Sequence, residues 1–482
     1  MSRLRGGMWT GAALLVFLLA SWRYFASAHE PWDNSIESYN NGFYIGQIVR
    51  NFDRVGWRQL RGEPVLSYVP GDGEALVRQY LHHPPFYSWL LHAATRPGGL
   101  SEYTLRLPSI LATLLTAALI WGFVRRRSGD VPALFALLCY LGCPFILRYG
   151  DMVNYEAICS LLTLAAALAC LRPKSEWRVA ALVFLAVAID WQGAFALASV
   201  AILRVGRNPR AWMRSVWLPA AAAFMSAGVS VLCFTYWRFG EGSASDETFR
   251  LATSSLFGIE TPLLWWTNQA GFLFLQIGAP LVALSVWGMF ARATSSVSHR
   301  SLAHWRLIPA LVAPGFLNVF LFRRHSFEHP YWWQYSVAGF AIGAALGWAQ
   351  IYRRWPRPAL VIAALMLLVQ LALVVRDQDQ EHVSLLPRAA AANALFEPDD
   401  LMIRPDGFGP EAYYYDFWSY DEARSPTMLV ALHRAYKQGR VSVRKIVYVL
   451  PRKVAEAHPE LKATLDSFVS PRKIDSFFVY EW

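Results

Sequence analysis

Five stretches of the chain gather side chains able to do proton or phosphate chemistry. The first is HEPWDNSIESYNNGFY, where Asp33 and Glu37 stand four apart and share a face if the segment is helical, with Glu30 before them and Tyr39 and Tyr44 after. A carboxylate facing a cavity at a membrane surface suits a general base that takes a proton from a hydroxyl or amine. The same spacing also fits a solvated acidic stretch. The second is HHPPFYSWLLH: His82 and His83 precede a Pro-Pro pair that fixes the backbone and starts a helix carrying Phe86, Tyr87 and Trp89. Helix amino termini attract anions, so this run fits a phosphate headgroup site as well as an ordinary interfacial helix. Adjacent histidines point differently, which argues against a two-histidine metal site. In LSEYTLRLPSIL, Glu102 and Arg106 are four apart, a spacing for a salt bridge or for holding phosphate. RYGDMVNYEA places Arg148, Asp151, Asn154, Tyr155 and Glu156 together at the end of an apolar run, and ionisable groups there are functional candidates. FRRHSFEHPYWWQY carries Arg323, Arg324 and His325, then Glu328, His329, Pro330 and Tyr331.

The elements that must position these groups are apolar. Of the 482 residues 55% are hydrophobic and only 16% charged, and the mean hydropathy is +0.27. A soluble protein is about 25% charged, so the composition is that of a polytopic membrane protein. Crossing the hydrocarbon takes about 20 residues per helix. The sequence offers eleven candidate spans, near 8–27, 106–124, 131–148, 154–171, 178–190, 193–205, 215–237, 269–291, 307–322, 333–351 and 358–376. The fifth and sixth are short and share the turn Asp190-Trp191-Gln192-Gly193, as one hairpin would. Trp, Tyr and Phe make up 15% of residues and cluster at the ends of these runs, where amphipathic rings favour the headgroup level.

Lys and Arg collect in every second loop: Arg3 and Arg5, Arg125 to Arg127, Arg172 to Arg178, Arg204 to Arg214, Arg292 to Arg306, and Arg353 to Arg357. With basic loops in the cytoplasm, the amino terminus is inside. Loop 28–107 and everything beyond Arg376 are then outside. The net charge of +11 is a topology signal rather than a nucleic-acid surface. The cluster Arg323-Arg324-His325 breaks the pattern by falling outside, which fits a second use such as holding an anionic lipid phosphate, or a short loop packed under the soluble tail. All five cysteines lie in or beside apolar runs without metal-ligand spacing. The domain division expected is 1–376 for the membrane part, with juxtamembrane helices in loop 28–107, and 377–482 for a small soluble α/β domain. In that tail DLMIRP, RKIVYVLP and IDSFFVYEW read as strands and VAEAHPELKATLDSF as a helix.

Taken together, the acidic first outside loop, HHPPFYSWLLH, SEYTLRLPS, RYGDMVNYEA and HPYWW resemble, in order and spacing, the GT-C membrane glycosyltransferases. The resemblance is to the family 39/83 group of protein O-mannosyltransferases and aminoarabinose lipid A transferases, and it covers most of residues 30–340. It implies a GT-C-like fold of about 11 transmembrane helices with a small C-terminal extracytoplasmic α/β domain. It also implies an inverting transfer of a sugar from a polyprenyl-phosphate donor to a lipid, glycan or protein acceptor on the extracytoplasmic face. Residue by residue, the acid that activates the acceptor is Asp33, with Glu37 as second choice, and the donor side takes His83, Arg106, Arg148, Tyr155, Arg323, His329 and Tyr331. Many relatives carry an adjacent Asp-Glu where alignment on Phe43-Tyr44 puts Asn40-Asn41 here. The resemblance also argues that the first span is retained, although Ala26 and Ala28 form a permissive cleavage pattern. A bacterial inner membrane suits the short basic amino terminus. No metal is required in principle, and a divalent ion held by Asp33, Glu37 or Glu156 is the open cofactor question. A transporter or lipid flippase is the competing class; against it, the sequence has no inverted repeat and little charge in mid-span.

Overall fold

The computed structural model describes residues 2–33, 35, 44–71, 77–80, 83–172, 174–204, 209–237, 262–293, 306–378, 384–405, 410–421, 426–474 and 477–482. Two compact units emerge. The first holds residues 1–29, 81–87 and 106–381, the second 30–80, 88–105 and 382–482.

The first unit is a helical bundle. Its longer described helices and the short one that opens at Pro144 are α1 (Ser2–Ser27), α2 (Glu102–Ser128, beginning in the second unit), α3 (Asp130–Leu141), α4 (Pro144–Tyr149), α5 (Glu156–Cys170), α6 (Glu176–Ile189) and α7 (Ala196–Arg204). They continue as α8 (Pro209–Trp237), α9 (Pro262–Gly271), α10 (Ala279–Ala293), α11 (Leu307–Leu321), α12 (Gln334–Arg354) and α13 (Pro356–Gln378). Helix therefore occupies every one of the eleven expected apolar runs. Among the described residues five stretches are long and apolar enough to cross a membrane by themselves: Met8–Ser27, Glu102–Ser128, Ser215–Cys233, Pro262–Phe290 and Pro356–Val375. The run expected at 131–148 is two helices, because Cys143 is extended and Pro144 opens α4. The stretch from Pro262 to Ala293 is interrupted by a π-turn at Phe272–Gly278, where Gly278 takes φ +103°.

Close backbone approach organises the middle of the bundle. α12 carries Gly339, Gly343 and Gly347 four apart, facing Ser285 and Gly288 of α10 and Leu311 of α11. A Cβ added at Gly347 would lie 2.5 Å from the Leu284 carbonyl oxygen. Small residues at this spacing let helices meet backbone to backbone where apolar surface alone gives no preference over lipid. Gly347→Ala is expected to force α10 and α12 apart at a net cost of about 2 kcal/mol, seen as a lower melting temperature of the detergent-solubilised protein. An unchanged melting temperature would mean the two helices are not held at this distance.

The second unit contains a five-stranded sheet in the order β4 (Trp418–Asp421), β3 (Leu401–Arg404), β5 (Ile446–Pro451), β7 (Phe477–Glu481) and β6 (Arg472–Ile474). β3 runs parallel to both β4 and β5, and β7 is antiparallel to β5 and β6. In β3 Leu401 and Ile403 are buried while Met402 and Arg404 are only half-buried, the period of two that a one-sided core demands. Those side chains pack on Leu429 and Leu432 of the helix Pro426–Lys437 and on Leu461 and Leu465 of the helix Pro459–Asp466. The segment VAEAHPELKATLDSF is two helices rather than one, because Pro459 restarts the chain after His458.

The unit boundaries depart from the expected division at 376/377, since much of loop 28–107 joins the tail. Val65–Tyr68 (β1) and Val77–Gln79 (β2) form a hairpin, and Gly71 makes an antiparallel bridge to Val441. Arg54 donates to the carbonyls of Phe417, Pro398 and Asp416 and lies 3.6 Å from the Trp418 ring centroid. These bonds join residues more than three hundred positions apart, which local patterning does not encode.

Asp400 anchors the sheet. It is fully buried, accepts from Arg444 Nε and Nη2 at 2.9 and 2.8 Å, and takes the Glu397 amide at 2.8 Å. Burial pushes this carboxyl up, but the Arg444 bonds, the Glu397 amide and nearby Lys445 outweigh it and hold it below the usual carboxylate range. A folded-state value below the unfolded one, about 3.9, contributes stability above that pH and loses it as pH falls through the folded value. The melting temperature is expected to drop below about pH 4 in the wild type. Asp400→Asn should begin lower and show a shallower acid limb, and two parallel curves would refute the assignment.

Candidate active site

A buried polar cluster forms where three parts of the bundle meet. α6 ends at Asp190, whose backbone is extended at φ −154° and ψ 145°, and the chain turns through a 3₁₀ segment, Trp191–Phe195. Gly193 donates its N–H to the Asp190 carbonyl at 2.9 Å. That turn points the Asp190 carboxylate inward with no solvent exposure, 2.8 Å from His83 Nδ1. The His83 ring stacks on Tyr155 at 4.1 Å and 22°, and Tyr87 meets Tyr155 edge-on at 5.0 Å. Asn154 Oδ1 accepts the Tyr155 N–H at 2.9 Å, and its carbonyl takes the Ser109 hydroxyl at 3.4 Å, which fixes the entry to α5. Glu156, in the first turn of α5, is buried within electrostatic reach of Asp190. Asn318 of α11 donates to the Gln192 side-chain oxygen at 2.7 Å.

A second group lies around the end of α4. Arg148 lines a cavity of about 240 Å³ together with Phe145, Asn268, Phe272 and Gln276. Tyr149 lies edge-on to Tyr331 at 6.0 Å, and the Tyr331 hydroxyl is 2.7 Å from His329 Nδ1. The short helix Arg323–Glu328 and the 3₁₀ turn Pro330–Trp333, which flank His329, are tied to α9 by buried bonds: Trp265 donates to the Ser326 hydroxyl, Gln269 to the Ser326 carbonyl, and Trp333 to the Gln269 amide oxygen. Arg323 is exposed, 5.7 Å from the Trp265 ring centroid, and donates through Nε to the Phe320 carbonyl. Arg106 is buried and donates through Nη1 to the carbonyls of Ser27 and Ala28, joining α2 to the end of α1.

Asp33 belongs to the second unit. Its Oδ1 accepts the Ser35 N–H at 2.9 Å, an Asx-turn, and Asp33 bridges to Ser384. The preceding Trp32 is buried; its N–H goes to the Tyr414 hydroxyl at 2.7 Å, and that hydroxyl donates to Glu102 Oε1 at 2.6 Å. Burial, then the bond to Glu102, push the Tyr414 hydroxyl above its ordinary range, so it stays a neutral donor. Glu37 lies outside the described residues.

The structure thus brings His83 and Tyr155 together, and separately joins Tyr331 to His329 and, through Tyr149, to the helix carrying Arg148. Arg106 makes its bonds to the end of α1, and Arg323 stands over Trp265 of α9, its carbonyl accepting from the Ser326 hydroxyl. Sequence reading passed over Asp190 as a turn residue. The signal was an acid closing a short apolar run, a position where charge needs a partner. Among the described residues no group of three or more His, Cys, Asp or Glu side chains is placed to hold a metal ion.

With this geometry in view, part of the chain matches a protein mannosyltransferase family model, and the fold is similar to that of ArnT. Residues 82–237 match the family model of dolichyl-phosphate-mannose-protein mannosyltransferase. Across the whole chain the fold is similar to that of ArnT from Cupriavidus metallidurans, solved bound to undecaprenyl phosphate, with a TM-score of 0.63 and 15% identity over 98% of each chain. It is also similar to the oligosaccharyltransferase AglB from Archaeoglobus fulgidus, solved with an inhibitory peptide and a dolichol-phosphate. There the TM-score is 0.53 and the identity 11%, over 90% of this chain and 69% of that one. No curated protein matches the chain by sequence.

Proposed function

We propose that the chain is a polyprenyl-phosphate-sugar-dependent glycosyltransferase that moves a hexosyl or pentosyl group to a lipid, glycan or protein acceptor on the extracytoplasmic face. The observation that carries this reading is the family-model match, which opens on the HHPPFY run and covers the entire His83–Tyr155–Asp190 cluster. The lipid phosphates held by ArnT and AglB support a polyprenyl phosphate as the donor's carrier. In this reading the transfer inverts the anomeric carbon, with Asp33 or Glu37 as general base. Donor-side binding falls to His83, Arg106, Arg148, Tyr155, Arg323, His329 and Tyr331. The amino terminus is cytoplasmic, the chain crosses a bacterial inner membrane about eleven times, and the α/β unit stands outside.

A phosphate leaving group beside fixed positive charge needs no metal to depart. Running the assay with added divalent cation and with chelator decides whether an ion held near Asp33, Glu37 or Glu156 takes part. The deciding experiment is transfer by purified protein from a panel of radiolabelled polyprenyl-phosphate sugars, with membrane extract as acceptor. Label in a product establishes the class and names the sugar. Lipid phosphate bound without any donor consumed would overturn the reading in favour of a transporter or flippase.

A further inference from the structure

His92 closes the HHPPFYSWLLH run, and the proposed transfer assigns it no role. It lies near the end of the helix Phe86–Thr95 and is 6% exposed. Trp57 stacks on its ring at 5.5 Å and 8°, and Phe52 meets the ring at 5.3 Å. Trp89, one turn earlier on the helix, lies edge-on to Trp57 and donates to the Gly62 carbonyl. Both nitrogens of the imidazole face a charge. Arg96 Nη2 stands 3.0 Å from Nε2, and Asp53 Oδ1 lies 3.4 Å from Nδ1. A guanidinium can only donate, so Nε2 is the acceptor, and the one ring hydrogen sits on Nδ1 toward Asp53. The arrangement therefore requires a neutral ring. Arg54, in the same turn as Asp53, is directed away to the carbonyls of Phe417, Pro398 and Asp416. Arg58 and Arg61 of the following loop are exposed. Burial holds the imidazole below its ordinary range; Asp53 opposes this and Arg96 adds to it.

We propose that His92 is a pH-sensitive latch, which ties the segment Phe52–Gly62 to the helix Phe86–Thr95 while neutral and releases it on taking up a proton at Nε2. That proton occupies the lone pair that accepts from Arg96, so the bond is lost and two cations are left side by side. The released segment is the one closed by the bonds from Leu60 N–H to the Gly56 carbonyl and from Gly62 N–H to the Trp57 carbonyl. The folded ring takes its proton less readily than the unfolded one. The latch therefore contributes stability above about pH 6.5 and loses it as pH falls below that value.

The test is hydrogen–deuterium exchange of peptides spanning 52–62 in the full chain in detergent between pH 5 and 8. Each rate is divided by that of the unfolded chain at the same pH, which removes the intrinsic pH dependence of exchange. Protection in the wild type should fall about fivefold on acidification, the equivalent of one hydrogen bond. His92→Phe keeps a ring against Trp57 but cannot titrate, so its protection should stay level. Arg96→Ala removes the opposing cation and should flatten the acid fall. Asp53→Asn removes the attraction that offsets it and should steepen the fall. Level protection in the wild type overturns the proposal, as does an acid fall retained by His92→Phe. Arg96→Ala and Asp53→Asn curves that move together, or match the wild type, overturn it as well. Arg96 is exposed and Asp53 is 35% exposed, so this pair decides the matter if His92→Phe does not fold.

Discussion

Asp33→Asn is expected to lower sugar transfer by about a hundredfold to ten-thousandfold, the range a positioned general base contributes, while the melting temperature stays at the wild-type value. The structure explains why the fold should tolerate the change. The Asx-turn uses Asp33 Oδ1 as an acceptor for the Ser35 N–H, and an asparagine side-chain oxygen makes the same bond. Trp32 and the Tyr414–Glu102 pair hold the preceding residue independently of the carboxylate. Asparagine therefore removes the basic lone pair and keeps the bond from Ser35. Initial rates with saturating donor, run beside Glu37→Gln, separate the two acids. Full activity in both variants would remove this mechanism and direct attention to other acids of the first outside loop.

Gly193→Ala should be strongly damaging to the bundle. A Cβ there would overlap the carbonyl carbon and oxygen of Ala186 and stand 2.8 Å from Val187 N. All three are backbone atoms of α6, so no rotamer change relieves the clash, and either the helix end or the 3₁₀ turn must move. Overpacking against backbone costs about 3 kcal/mol or more. The expected result is a sharply lower melting temperature, because the end of α6 or the turn after it is displaced. Gly228→Ala is the matched control. Its Cβ would meet nothing within 4 Å, and in the helix Pro209–Trp237 alanine gains up to about 1 kcal/mol in propensity. Equal melting temperatures for the two variants would show that the α6 turn is not packed as described.

The sequence by itself determined the membrane class, the helical runs, the resemblance to GT-C enzymes and the strands Leu401–Arg404, Ile446–Pro451 and Phe477–Glu481. The membrane class, the helical runs and the strands rest on composition or on periodicity within some twenty residues, signals that survive without knowledge of neighbours, while the resemblance rests on the order of motifs along residues 30–340. The sequence also marked His83 and Tyr155 as candidates, because an imidazole before Pro-Pro and a tyrosine at a span end stand out locally.

Only the tertiary structure decided which of these groups meet. His83 and Asp190 are 107 positions apart, and the pair exists because α6 ends against α5 and the Gly193 turn admits no side chain. The joining of loop 28–107 to the tail depends on Arg54 and Trp32 finding partners more than three hundred residues away. The physical reason is common to both. A hydrogen bond or ring stack is worth about 1 kcal/mol wherever it forms, so nothing in one segment's own pattern reveals its distant partner. The partner is selected when the helices and the sheet bury their apolar faces and the remaining polar groups must be satisfied together.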